Sequence, residues 1–319
     1  MAHAVETMAY AGELPWHGLG VPVSNDMGVY EMMNKAGLNW TVSKRDLYYR
    51  VKNLDDSFRY KQATKKVLVR DTDDKELSVV GTDWHIVQNR DAFDFFYDWV
   101  EEGNMEMHTA GSLLDGKLVW VLAKVNETFE VLKNDIVESY LLFTNPHQFG
   151  NSINVRFTPI RVVCNNTLQL ALGGNNAGIR VAHNRQFDPE EVKIALGLAQ
   201  NSMHDYKEVA QFLASKRVTD EQVYAYNDRL FPGTKHEQEV LKCVRSKKAA
   251  LANRLYNEGT PGSELAKGTA WDAFNTVTYM YDHVLGKSNA SRMKSSWYGK
   301  ARIAKQEALH EAKQLANVA

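Results

Sequence analysis

Cysteine is nearly absent from this chain of 319 residues. Its two thiols, Cys164 and Cys243, cannot frame a disulfide-stapled secreted module, and beside ten methionines they suit a reducing, cytoplasmic setting in a host cell. Long apolar runs are missing as well. No stretch reaches the roughly 18 apolar residues needed to cross a bilayer, and Met1 to Pro22 shows no basic region followed by an apolar core, so neither membrane insertion nor export is expected. There is no Gly-x-x-x-x-Gly-Lys-Ser/Thr loop, no Gly-x-Gly-x-x-Gly and no Gly-x-Ser-x-Gly, which removes the phosphate cradles and nucleophile turns of common nucleotide and hydrolase chemistries. Histidines and cysteines never fall at His-x-x-x-His or Cys-x-x-Cys spacing, so no metal site and no cofactor is expected.

What is present has the pattern of a globular protein. A hydrophobic content of 44% over this length supports one large domain or two ordinary ones. Residues 9–20, Ala-Tyr-Ala-Gly-Glu-Leu-Pro-Trp-His-Gly-Leu-Gly, have no period and read as an ordered loop. From Trp40 to Gln88 strand patterns recur at 40–43, 46–51, 66–70 and 77–81, parted by turns such as Asp71-Thr-Asp-Asp, which predicts an antiparallel meander. Asn89-Arg90-Asp91 opens an aromatic helix over 92–100 whose apolar side should lie on that meander. Leu114-Asp115-Gly116, set between apolar runs, predicts a hairpin, and further strands are expected over 139–144 and 153–164.

The character changes after residue 187. Asp188-Pro189-Glu190-Glu191 supplies an N-cap, a proline at the first helical position and acids in the first turn, and Val192, Leu196, Ala199, Met203, Tyr206, Val209 and Leu213 continue at helical spacing. Capping patterns at Thr219, Thr234 and Thr269 predict three more helices. The last should run as one helix over 268–285 with Trp271, Phe274, Tyr281 and Leu285 on one buried side. The expected class is α+β, with an antiparallel sheet and a crossing helix in 1–187 and a helical region, 188–319, packed on it.

Charge is unevenly spread behind a formal net of −1. Between Asp71 and Glu138 sixteen acids face five Lys and Arg, whereas from Ser139 to Phe187 there is no acid at all. That second segment cannot supply paired carboxylates for acid–base work, but Arg156, Arg161, Arg180 and Arg185, with the neutral donors Asn165 and Asn166, fit an anion site. A second acid-free basic stretch, 287–306, carries Arg292, Lys294, Lys300 and Arg302 around Trp297 and Tyr298, the mixture of cations and rings that a single-strand groove needs. The bland alternatives are solvated strand residues for the first and a surface helix with Trp297 docked in the core for the second. Trp16, His17, Asn145, His147 and His183 form polar clusters that could line a pocket. Cys164 lacks any nucleophile signature and reads as core.

Four stretches together resemble the phage/plasmid-like proteins of domain-of-unknown-function family 932. They are residues 9–20; Thr109-Ala-Gly-Ser-Leu113 with Val119-Trp120; Thr158-Pro-Ile-Arg-Val-Val-Cys-Asn-Asn-Thr-Leu168; and Gly268-Thr-Ala-Trp-Asp-Ala-Phe-Asn-Thr-Val-Thr278. The resemblance implies a mobile-element context and no particular activity. In the order of its elements the chain also resembles the single-strand annealing recombinases of phages, an argument of outline only.

Three readings follow. The favoured one is a non-enzymatic single-stranded DNA binder, possibly annealing, that forms a homo-oligomer and holds phosphates with the four arginines. The second is an enzyme on nucleotide or nucleic acid working through His17, His147 and His183 with Asn145. The third is an interaction protein that meets a host factor through the acidic stretch 71–138. For Arg156 and Arg161, five positions apart, to share one face, the strand must break at Pro159.

Overall fold

A computed structural model describes residues 5–12, 20–161, 166–167, 178–199, 201–234, 245–288, 291–292, 295–296 and 299–318. They fall into two compact units, the first within 1–126, 141–156 and 178–197, the second within 127–140, 157–177 and 198–319. The class is α+β, with the strands leading and helices filling the C-terminal part.

The first unit begins with β1 (Val5–Ala11), β2 (Val21–Val23) and α1 (Val29–Lys35), so Ala9, Tyr10 and Ala11 extend a strand instead of opening a loop. Their alternation is hidden because all three are buried. The expected meander is a three-stranded antiparallel sheet of β3 (Val42–Lys52), β4 (Phe58–Arg70) and β5 (Lys75–Val80). Two stretches expected as separate strands merge into β3, which absorbs the break between them as a register shift between Asp46 and Tyr48. Arg70 ties this sheet to β1: its guanidinium bonds Glu6 at 2.9 and 3.0 Å and Asp73 at 2.7 and 2.9 Å. The same Arg70 contacts hold the Asp73 carboxyl down at about 2.

Helix α2 (Asn89–Glu101) starts in a capping box between Gln88 and Asp91. Its apolar side does not lie on the meander. Phe95 and Phe96 pack on Phe143, 5.3 and 6.4 Å between ring centres, while the meander is met by the polar start of the helix. There the Gln88 amide bonds both the N–H and the C=O of Val42, at 2.9 Å each, and Asn89 donates to the carbonyls of Leu38 and Trp40.

The larger sheet adds β6 (Met105–Leu113), β7 (Leu118–Leu132), β8 (Asp135–Pro146), β9 (Ile153–Arg161), β10 (Asn166–Thr167) and β11 (Ile179–Val181), in the order β10-β9-β8-β7-β6-β1-β2 with β11 also on β9. The chain passes between units inside β7, β8 and β9. The β6–β7 turn has the expected geometry, Leu114, Asp115 and Gly116 all lying at positive φ. Strand β9 runs as one strand from Ile153 to Arg161, through Pro159.

In the second unit Asp188's counterpart further on is Thr219, whose capping box with Gln222 starts α5 (Asp220–Leu230). Asp188, in the first unit, accepts from the N–H groups of Glu190 and Glu191 at the head of α3 (Pro189–Ala199), and α4 (Asn201–Ser215) follows in the second. The start predicted at Thr234 runs into residues outside those described. Helices α6 (Lys247–Glu258), α7 (Ser263–Ala266), α8 (Ala270–Tyr279) and α9 (Lys300–Val318) complete the unit.

Thr269 caps α8 as expected, but the helix is buried on every side from Ala270 to Thr278. Trp271 and Phe274 are core, with the Trp271 indole donating to buried Asp135 at 2.9 Å. A π turn, Met280–Val284, then ends the α-helical period. Tyr281 and Leu285 are consequently only half-buried, and the single four-residue stripe over 268–285 does not form.

Candidate functional site

Sheet strand β5 covers only residues 66–70 of β4, so beyond Lys66 the β3–β4 hairpin continues as a two-stranded ribbon. Its tip is fixed by side chains. Asp55 accepts from the Ser57 N–H and hydroxyl at 3.1 and 2.6 Å, Asn53 donates to the Ser57 hydroxyl at 2.8 Å, and Asp56 takes the left-handed conformation at φ 65°. The Ser57 contacts hold the Asp55 carboxyl below its ordinary range.

Opposed residues of an antiparallel pair share a face. Tyr48 lies opposite Gln62, Arg50 opposite Tyr60 and Lys52 opposite Phe58, so one face carries three rings, two cations and an amide, with Asp46 bonded to Tyr48 and Gln62 at its base and Asp56 paired with Lys52 at its tip. The rings are in the open, Tyr48 at 55%, Phe58 at 50% and Tyr60 at 73% exposure. Arg50 lies 4.2 Å over the Phe58 ring, the diagonal neighbour, so cation and ring are already set beside each other. The other face holds Tyr49, Val51, Arg59 and Lys61. Among the described residues no carboxylate pairs with Arg50, Arg59, Lys61 or Lys65, whereas Arg45 pairs with Asp74 and Asp71, Lys66 with Asp46, and Lys52 with Asp56.

Three exposed rings on a free ribbon carry a thermodynamic cost. Each buries on the order of 150–250 Å2 when covered, worth about 25 cal/mol per Å2, and a lone two-stranded ribbon is marginal without a partner on its face. Such a surface is matched by something flat and anionic. Stacking a base on an aromatic ring contributes about 1–3 kcal/mol.

The residues expected to hold phosphate are placed differently. Arg156 is buried, at 7% exposure, against Gly178, where a Cβ would lie 2.7 Å from the Arg156 Cβ. Arg185 is exposed but bonded to both oxygens of Glu191 at 3.0 Å. Arg180 is exposed on β11 opposite Asn154. These three belong to the first unit, while position 161 at the end of β9 belongs to the second. A single four-arginine groove, as the sequence suggests, therefore fails at Arg156. Of the C-terminal cations, Lys300 is exposed and Arg292 and Arg302 are half-buried. Asn166 is described only as backbone in β10, and the Arg161 side chain, Trp16, His17, Asn165, Lys294, Trp297, Tyr298 and both cysteines lie outside the described residues.

Asn145, His147 and His183 do converge, but inward. All three are buried. Asn145 donates to the Val87 carbonyl at 2.8 Å, and His147 Nε2 lies 3.0 Å from Asn89 Oδ1. Because the Asn89 amide nitrogen is engaged with two carbonyls, its oxygen accepts, and His147 donates from Nε2. Burial pushes His147 down to about 3, so the ring stays neutral. His183 stacks on Trp84 at 4.1 Å with Nδ1 2.9 Å from the His85 carbonyl. Its pKa is lowered by burial, against the His85 and Pro146 carbonyls that favour the charged ring. This buried network ties β8 and α2 to the neighbouring loops through Asn145 Nδ2, His147 Nε2 and His183 Nδ1, and leaves Asn145 Oδ1 and His183 Nε2 without a hydrogen-bond partner among the described residues.

Several acids of 71–138 are engaged: Asp71 with Thr41 and Ser43, Asp73 with Arg70, Asp94 with Tyr30, Asp98 with Lys193, and Asp135 with Trp271 in the core. Among the described residues no three His, Cys, Asp or Glu side chains are grouped to hold a metal ion, and no helix is long and apolar enough to cross a membrane.

The ribbon leaves a signal in the sequence. Between Lys44 and Lys66 eight Lys and Arg face three Asp, with Tyr48, Tyr49, Phe58 and Tyr60 interleaved. The class defined here is an α+β protein with a basic, ring-bearing ribbon on one unit and a helical second unit. The chain belongs to the family described as Domain of unknown function (DUF932), whose model matches residues 76–313. The ribbon precedes the matched region. No curated protein and no solved structure gives a match.

Proposed function

We propose that this protein is a non-enzymatic binder of single-stranded nucleic acid, DNA in the first instance, and that the β3–β4 ribbon is its contact surface. The observation that carries the reading is the ribbon face with Tyr48, Phe58 and Tyr60 exposed around Arg50 and Lys52. Bases stack on the rings and phosphates take the cations, a mode tolerant of sequence because every base has a π-face. A single strand suits it better than a duplex, whose bases are already stacked on one another. The mobile-element setting implied by the sequence resemblance, and assembly into a homo-oligomer that lines up several ribbons along one strand, belong to the same proposal. Against the enzyme reading stands the burial of Asn145, His147 and His183, and against the acidic docking surface stands the internal pairing of several of its carboxylates.

Fluorescence anisotropy of a labelled dT oligomer, with the wild-type chain and the Phe58→Ala/Tyr60→Ala double variant, tests this. Tight binding at low salt that the variant loses supports the proposal. Equal binding by both proteins rejects the ribbon as the site.

A further inference from the structure

The second unit has a cavity of about 450 Å3, inside the roughly 300–1,000 Å3 range of small-molecule sites. Its wall is made by the end of α5, the start of α6, the π turn and α9. The π turn is what brings Tyr281 there. Spacing from Trp271 and Phe274 would place residue 281 in the core, but a π turn inserts one residue and rotates everything after it by about 100°. Tyr281 instead joins the cavity lining, its ring 6.2 Å from that of Phe231.

The turn is clamped from behind. Asp282, the next residue, accepts from Lys305 Nζ at 2.7 Å and from the Ser296 hydroxyl at 2.6 Å, and Lys305 is fully buried. A buried ion pair adds little net stability because desolvation offsets its attraction; what it does is fix geometry. The departure from α-helical form is thus held in place at the cavity wall.

The lining has three kinds of chemistry. Lys247 and Lys248, both exposed, bring two positive charges to one side, with Lys248 Nζ 5.9 Å from the Tyr281 ring centre. Phe231 and Tyr281 offer an aromatic wall. Glu307 and the Thr234 hydroxyl accept hydrogen bonds. A ligand that satisfies all three has an anionic group for the lysines, a flat ring for the aromatic wall and hydroxyl or amino donors for the carboxylate.

We propose that this cavity binds a nucleoside monophosphate unit, the phosphate monoester at Lys247 and Lys248 and the ring against Phe231 and Tyr281. The unit has two possible sources, a free nucleotide or the 5′-phosphorylated end of a strand. The site is independent of the ribbon and stands or falls without it.

Isothermal titration of the full chain with AMP, and separately with a dT trimer bearing a 5′-phosphate or a 5′-hydroxyl, tests it in the Phe58→Ala/Tyr60→Ala background, which silences the ribbon. The expected result is saturable AMP binding, at least tenfold tighter than inorganic phosphate or adenosine alone, and weakened at least tenfold by Lys247→Gln/Lys248→Gln with the melting temperature unchanged. If AMP is silent but the 5′-phosphate trimer outbinds the 5′-hydroxyl trimer, and the lysine variant abolishes that difference, the strand end is the ligand. No saturable binding of AMP and no preference for the 5′-phosphate overturns the proposal. So does binding that is indifferent to the lysine variant.

Discussion

The ribbon and the Asn145–His147–His183 network, both in the first unit, draw on similar aromatic and polar side chains and use them in opposite ways. In the network Asn145 Nδ2, His147 Nε2 and His183 Nδ1 are turned toward a backbone carbonyl or another amide, while Asn145 Oδ1 and His183 Nε2 are buried without a hydrogen-bond partner among the described residues, and Trp84 stacks on His183. In the ribbon the rings face solvent and four cations lack a carboxylate partner among the described residues. A polar cluster closed off from solvent gives a large ligand no surface to lie on. A surface that keeps unmet charge and uncovered rings does.

That contrast breaks most visibly through stability. Replacing Asn89 by Ala removes the acceptor of His147 and the donor to two buried carbonyls, and should cost about 2–4 kcal/mol. Urea denaturation reads this loss, and strand affinity of the folded variant should be unchanged. The Phe58→Ala/Tyr60→Ala variant should do the reverse. Its affinity should fall by about 2–6 kcal/mol if two bases stack, with the denaturation midpoint close to wild type.

Acid sharpens the same division. His147 has a folded pKa of about 3 against an ordinary value of 6.5, so below 6.5 the unfolded chain binds the proton first. The stabilisation from the neutral ring is complete above pH 6.5 and declines as pH falls toward 3, by about 1.4 kcal/mol per pH unit at most. His147→Gln should flatten that slope in thermal melts recorded between pH 6.5 and 4. The smallest expected effect is Arg50→Gln, which should lower the logarithmic salt slope of single-strand binding by about 0.7, one phosphate's share.

Much of the fold was readable because its signals are local. The capping box at Thr219, the Asp188-Pro189 helix start and the Leu114-Asp115-Gly116 turn each fix their own geometry within four residues. What failed depended on distant partners. The aromatic side of α2 could not be matched to its sheet from sequence, since Phe143, fifty residues away, decides it. The stripe over 268–285 failed because a π turn, fixed by Lys305 from another helix, resets the period. Site reading suffered the same way. An acid-free segment drew attention to Arg156, yet Gly178 closes over it, and a motif-like grouping of Asn145 and His147 proved to be internal wiring. The ribbon's strands are legible only in part, because Phe58 and Tyr60 alternate with Arg59 and Lys61 over just four residues before Gln62 and Thr64 end the pattern.

The most direct measurement is the salt dependence of single-strand affinity for the wild-type chain and the triple variant Tyr48→Ala/Phe58→Ala/Tyr60→Ala, by anisotropy at about 50 and 200 mM salt. If Arg50 and Lys52, the cations of the ring-bearing face, each neutralise a phosphate, the wild-type affinity should fall about sevenfold between those salts, and the triple variant should bind far more weakly at both. Affinity that is indifferent to salt, or a triple variant that binds within about twofold of wild type, a difference below about 0.4 kcal/mol, would contradict the ribbon as the binding surface.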